Sequence, residues 1–160
     1  MRGKRQTRKR KQKGGSNAYK EIKFPRTLSV SFDGKVIHDN RLKLEETQKS
    51  PRIDWLEEPQ GDSLYTYICF DPDATLPSWI HLMIVNCSTS SPHSGQTTFE
   101  WYPPAPPKGT HRYIFGLFTH AYPIDTSAIK DRGKFNVREF ITKYGLTPLA
   151  GASMMVSATP

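Results

Sequence analysis

At 160 residues and 36% hydrophobic, with 13 prolines and 11 glycines, the chain has the size and composition of one turn-rich β domain and not of a helical bundle. A domain this long buries about 68–70% of the surface its unfolded chain exposes, enough for a core and an internal site. The formal net charge of +8 belongs to one segment: residues 1–13 hold 8 Lys and Arg and no acid, and the rest of the chain has 15 bases against 15 acids.

Residues 1–13 run into Gly14-Gly15-Ser16-Asn17, a stretch too basic and polar to join a core. Residues 1–17 are therefore expected as a disordered tail, and residues 18–160 as a single domain. Such a tail can attract nucleic acid or an anionic membrane nonspecifically, serve as a nuclear address, or only keep the protein in solution. Its basic run closing on Gly-Gly also resembles the N-termini of proteins from large DNA viruses. No apolar run approaches the roughly 20 residues of a membrane span, and the basic start lacks the apolar segment of a secretory signal. A soluble, cytoplasmic protein is expected. In that reducing compartment Cys69 and Cys87, each at the end of an apolar run, read as small core residues rather than a disulfide.

Leu28, Val30 and Phe32 alternate with Ser29 and Ser31, a period of two that predicts a strand, and Asp33-Gly34 predicts a tight turn into a second extended run at Val36 and Ile37. Residues 39–62 are polar, with Pro51 and Pro59 bracketing Ile53 and Trp55, and read as a long connection with one short strand. Residues 64–70 and 80–86, rich in Tyr, Ile and Val between Pro-containing turns, are the strongest strand candidates. The second is apolar nearly throughout, which predicts a strand buried on both faces near the centre of a covered sheet. Residues 88–98 are Ser/Thr-rich and read as a loop holding His93, and residues 113–119 as the next strand. One helix is expected over residues 136–145. Val137, Phe140, Ile141 and Tyr144 fall at i, i+3, i+4 and i+7, Asn136 can cap the start, Glu139 can reach back to it, and Gly145 can end it. Residues 150–158 return as a last strand.

Chemistry-bearing residues gather at the ends of these runs. Asp71-Pro72-Asp73 closes one strand, Trp79 and His81 open the next, and the run Pro103-Pro104-Ala105-Pro106-Pro107-Lys108-Gly109 leads to His111-Arg112-Tyr113 at the start of a third. Strand ends are where a sheet presents polar groups without polarising its core, so the three blocks predict a pocket. An Asp and two His there fit three chemistries. They can hold an oxyanion, with ring N–H groups of His81 and His111, the Tyr113 hydroxyl and loop amides donating, while Asp71 orients a histidine or accepts from a ligand amine or hydroxyl. They can form part of a metal ligand set, but no His-x-x-x-His spacing and no fourth ligand is evident, so no metal and no cofactor is assigned. Or a His–Asp pair can activate water or a hydroxyl; Ser78 is near in sequence, yet no G-x-S-x-G elbow surrounds it, and no catalytic residue is assigned. Asp73 reads as a turn residue. Arg112 points, by strand alternation, away from His111 and Tyr113 and reads as an ion-pair partner of one of the aspartates. Trp79 with Pro104, Pro106 and Pro107 reads as a preformed apolar wall. His38, His93 and His120 carry no assigned role.

Asp71, Asp73, His81 and the triplet His111-Arg112-Tyr113, in this order among these prolines, resemble the phosphatidylethanolamine-binding protein family, which includes the Raf kinase inhibitor proteins and the plant flowering regulators. The resemblance continues upstream in Leu28-Ser29-Val30-Ser31-Phe32 with Gly34, in Pro51-Arg52-Ile53-Asp54-Trp55 and in Tyr65-Thr66. Downstream it includes Lys134-Phe135-Asn136 and Ala150-Gly151, so that it covers roughly residues 22–158. It implies a mostly β fold in which a large central antiparallel sheet packs on a smaller one, with one main helix. It also implies a noncatalytic site for phosphate-like anions or phospholipid headgroups at Asp71, Trp79, His81, Ala105, Pro106, His111 and Tyr113, with Asp73 and Arg112 structural beside it. Regulation of a kinase or protease partner is the family-level extension. The alternatives are a hydrolase using the same Asp and His residues, and a nucleic-acid or virion-associated protein acting through residues 1–13. Three departures bear on the site. Thr75 stands where the family commonly has proline, and Pro103 and Ala105 stand where it commonly has glycines, Pro103 having no amide to offer a ligand. The chain also ends at Pro160 without the further helix that partly covers the pocket in many animal relatives, which implies a more open site.

Overall fold

Two sheets carry the fold in the computed structural model, which describes residues 22–74 and 77–160; the expected tail, residues 1–17, lies outside the described residues. The small sheet has the order β3-β2-β5, built from β2 (Ser29–Phe32), β3 (Lys35–Val36) and β5 (Arg52–Asp54). Val30 and Phe32 face the core while Ser29 faces solvent, as a period of two requires. Asp33 and Gly34 both take positive φ, 47° and 80°, between the paired residues Phe32 and Lys35. Two left-handed residues in succession are what a type I′ hairpin turn needs, and Asp-Gly supplies them at low cost.

The large sheet runs β1-β10-β9-β6-β7-β8, with β4 also pairing β10. Its strands are β1 (Arg26–Thr27), β4 (Asn40–Leu42), β6 (Leu64–Asp71), β7 (Trp79–Cys87), β8 (Gln96–Phe99), β9 (Thr110–His120) and β10 (Thr147–Ser157). The sheet is mixed and not wholly antiparallel as the resemblance implied, because β1 and β4 both lie parallel to β10. Each covers only part of that long strand, β1 at Ala150 and Gly151 and β4 at Met154 to Val156, so both fit along it. β4 and a 3-10 turn at Leu44–Thr47 occupy the stretch that reads as connection, and β8 occupies the end of the Ser/Thr-rich stretch that reads as loop.

β9 and β6 hold the middle of the sheet, and β7, expected near the centre, stands one strand from the edge. It is nevertheless buried on both faces. Leu82 joins a core between the two sheets with Val30, Phe32, Tyr67, Cys69 and Phe115, whereas Ile80, Met83 and Val85 join a second core with Phe118, Val137 and Phe140 under the helix. That helix, α1 (Val137–Tyr144), starts where the Asn136 side chain accepts the Glu139 amide at 3.1 Å and stops where Gly145 turns left-handed at φ 61°. Cys69 and Cys87 are free and buried, and burial pushes the Cys87 thiol up to about 11.

The connection before α1 fastens the start of β7. The Ile80 amide donates to the Arg132 carbonyl at 2.8 Å, the Phe135 amide donates to the Ser78 carbonyl at 3.1 Å, and the Ser78 hydroxyl donates to the Phe135 carbonyl. Among the described residues no helix is long and apolar enough to cross a membrane.

Candidate functional site

Antiparallel pairing brings the end of β6 beside the starts of β7 and β9, with Asp71 opposite Trp79 and Phe70 opposite Ile114. Asp71, Trp79, His81, His111 and Tyr113 thereby line one cavity of about 430 Å³. The Pro-rich segment between β8 and β9 walls it with Pro103, Ala105, Pro106, Pro107 and Lys108, and Asp73, Ala74 and Tyr102 complete the lining. Each residue singled out in the sequence for a ligand thus lies on this cavity. Pro104, expected in its wall, is buried and does not line it.

Asp71 is 3% exposed and its two oxygens are engaged by the protein. Oδ1 accepts the amides of Asp73 at 2.8 Å and Ala74 at 3.0 Å, and Oδ2 accepts from His111 Nδ1 at 2.7 Å. The residue is both the Asx-turn former that Asp-Pro-Asp suggests and the group that orients a histidine. Burial raises its pKa, opposed by the hydrogen bond and charge of His111 and by the Asp73 amide. Asp73 does more than make a turn. Its Oδ2 accepts the Arg112 amide at 2.9 Å and Nε at 2.8 Å, and its Oδ1 accepts Nη2 at 2.5 Å, so a forked guanidinium fastens the turn to β9.

His81 is 4% exposed and holds its Nδ1 2.5 Å from the Tyr102 carbonyl oxygen. Burial drives its pKa down to about 4, the Tyr102 hydrogen bond opposing and the charges of Arg132 and His111 reinforcing the shift. The N–H that each histidine was expected to offer a ligand is therefore already given to the protein at Nδ1, which leaves only Nε2 of each ring for the cavity. Tyr113 is fully buried, with its ring 5.0 Å from that of His81. Burial and the Asp71 carboxylate push its hydroxyl pKa up, so it remains a neutral donor. The four prolines from 103 to 107 have no amide, so within residues 103–108 only Ala105 and Lys108 carry a backbone donor.

Sequence reasoning missed Tyr102 and Arg132. The Arg132 guanidinium donates to the Ile80 and His81 carbonyls at 3.2 Å each and to the Glu100 carbonyl at 2.7 Å. It also lies 5.5 Å from the Trp79 ring, 5.0 Å from Phe99 and 5.4 Å from Tyr102. These contacts span dozens of residues and leave no local pattern; the nearest cue was the neighbouring Lys134-Phe135-Asn136 block. Among the described residues no group of three or more His, Cys, Asp or Glu is placed to hold a metal. A larger groove of about 910 Å³ between β5 and β7–β8 has His93 on its rim but shares no lining residue with this cavity.

The sequence model of the family described as phosphatidylethanolamine-binding protein matches residues 27–154, a span that contains the whole cavity. The chain is 30% identical over 146 residues to the "Putative odorant-binding protein A5" of Drosophila melanogaster, across 81% of this chain and 66% of that protein, so it spans just under two thirds of that relative. It is 28% identical over 131 residues to the protein BROTHER of FT and TFL 1 of Arabidopsis thaliana, across 76% of this chain and 73% of that one. Among solved structures it is similar to the carboxypeptidase Y inhibitor complexed with its cognate proteinase, with a TM-score of 0.71 and 23% identity over 83% of each chain. It is also similar to the phosphatidylethanolamine-binding protein of Plasmodium vivax, with a TM-score of 0.68 and 20% identity over 82% of this chain and 85% of that chain. At these identities the structural likeness is one of fold.

Proposed function

The chain belongs to the phosphatidylethanolamine-binding protein family, and from that premise we propose that the cavity is a noncatalytic binding site for a phosphate-like anion, carried by a phospholipid headgroup, a phosphorylated small molecule or a phosphorylated protein segment. The observation that carries this reading is the Asp71–His111 pair at 2.7 Å, which aims a ring nitrogen into a cavity shared with His81 and Tyr113. Its volume of about 430 Å³ suits a small ligand, and an apolar rim of Trp79, Ala105, Pro106 and Pro107 around a few convergent polar atoms is the usual composition of such a site. A hydrolase finds little support. The Ser78 hydroxyl is buried and bonded to the Phe135 carbonyl, and the Cys69 thiol is buried with a raised pKa. A proteinase as protein partner is supported at the level of fold, by the likeness to an inhibitor seen in complex with its proteinase.

The test is calorimetric titration of phosphoethanolamine into the wild type and into His111→Ala, with circular dichroism to check folding. Saturable binding that weakens at least about tenfold in the variant is expected, the loss of one good hydrogen bond to an anion. Absence of binding to the wild type, or equal binding to both, would overturn the assignment.

A further inference from the structure

A carbonyl oxygen can only accept a hydrogen bond. In the 2.5 Å contact between His81 Nδ1 and the Tyr102 carbonyl, the proton must therefore sit on Nδ1. His111 also donates through Nδ1. Asp71 already accepts two amides at Oδ1, and its Oδ2 accepts from His111 Nδ1 at 2.7 Å. A neutral imidazole has one N–H, and burial against Trp79, Tyr102 and Tyr113 keeps His81 neutral, so its Nε2 is a lone pair. Among the described residues nothing hydrogen-bonds to either Nε2, and both rings line the cavity. An acceptor at His81 then faces any ligand, and a bare oxyanion, which has only lone pairs to offer, meets repulsion there.

Charging His81 to escape that repulsion is opposed by its surroundings. The ring is 4% exposed and packed against Trp79, Tyr102 and Tyr113. The Arg132 charge, and any charge on His111, disfavour a further positive charge there, and the nearby carboxylates of Asp71 and Asp73 are already bonded to His111 and Arg112. The remaining charged group of the lining is Lys108, at the end of the Pro-rich segment.

Resting on the anion-site reading above, we propose that the cavity selects oxyanions that bring their own acidic hydrogen, above all the monoprotonated form of a phosphate monoester, and rejects anions of the same shape and charge that carry none. The P–O–H donates to His81 Nε2, while the Tyr113 hydroxyl and the amides of Ala105 and Lys108 are the wall's donors for the charged oxygens. A phosphodiester has no P–O–H, so an intact headgroup meets the same demand only through an ammonium hydrogen.

Methyl phosphate and methyl sulfate test this directly. Near pH 5 both are mainly monoanions, because the second ionisation of a phosphate monoester lies at about 6, and they differ in one hydrogen. Titration of the full chain at pH 5 is expected to give binding of methyl phosphate and at least tenfold weaker binding of methyl sulfate, since a site built to pair a ligand hydrogen leaves its own group unpaired when the hydrogen is missing. Nitrogen-15 NMR of the free protein is expected to find His81 protonated at Nδ1 and bare at Nε2. Equal affinity for the two esters, or a protonated Nε2 on His81 of the free protein, overturns the proposal and leaves the anion site standing. Failure of methyl phosphate to bind at all removes the anion site and the proposal together.

Discussion

His111 Nδ1 meets Asp71 Oδ2 at 2.7 Å although the two residues are 40 apart in sequence, because β6 ends where its neighbour β9 begins. The contact ties a turn to a strand, since Oδ1 of the same carboxylate holds the amides of Asp73 and Ala74.

Replacing Asp71 should separate the two halves of that role. Asp71→Asn keeps an oxygen for the turn amides and loses the charge-assisted bond, at about 1 kcal/mol, whereas Asp71→Ala also strands two amides and should cost about 2–3 kcal/mol. Urea unfolding at pH 7 measures both. Equal costs would mean that the turn amides find water and that the turn needs no carboxylate.

His81 makes stability depend on pH, and the direction follows from its environment. Its folded pKa of about 4 lies below the ordinary value of 6.5, so between these limits the unfolded chain binds more protons than the folded one. Stability contributed by the neutral ring is complete above pH 6.5 and is lost as pH falls toward 4. At 1.36 kcal/mol per unit the loss is about 3 kcal/mol in all. His120 also has a lowered pKa, caused first by burial, and adds a loss of the same sign. Urea unfolding at several pH values should show the decline, and His81→Gln should flatten it. A variant with the same slope as wild type would put the proton uptake elsewhere.

The elements that were legible in the sequence are those whose signal is local. Asn136, the spacing of Val137, Phe140, Ile141 and Tyr144, and Gly145 specify α1 within ten residues, and Asp33-Gly34 specifies its turn within two. The long strands β6, β7 and β9 announce themselves by composition, and their polar ends announced the candidate site. β1 and β4 are too short to show any period and exist because β10 offers them an edge. The site's residue types were legible for the same reason as the strands, but their hydrogen-bond roles were not. Which nitrogen of His81 carries the proton depends on the carbonyl of Tyr102, 21 residues away, and a main-chain oxygen has no sequence signature.

Gly151 and Gly116, paired across β10 and β9, form a slot for Phe24, whose ring stands edge-on to Phe118 at 5.6 Å. A β-carbon at Gly151 would come within 2.5 Å of the Phe24 ring, so Gly151→Ala must displace it. Overpacking of this kind costs about 1–3 kcal/mol. Combining it with Phe24→Ala should cost less than the sum of the single changes, because the second substitution empties the slot. Additive losses in thermal unfolding would show that the glycines serve something other than this ring.

Arg132 should matter to the site without touching a ligand, because its fork holds the carbonyls of Ile80, His81 and Glu100 while its plane lies among the rings of Trp79, Phe99 and Tyr102. Arg132→Met keeps the apolar stem and removes the donors, with an expected loss of about 2–3 kcal/mol. Arg132→Lys should recover less than half of that, since a single ammonium cannot reproduce a planar fork directed at separate carbonyls. Both variants should also weaken phosphoethanolamine binding, because the wall formed by Trp79 and Tyr102 and the carbonyl that sets the His81 tautomer are anchored through this one side chain. Thermal unfolding and titration of the same preparations separate the effects. Full rescue by lysine would reduce the residue to a positive charge near three rings, and unchanged binding in the methionine variant would mean that the wall keeps its shape unaided.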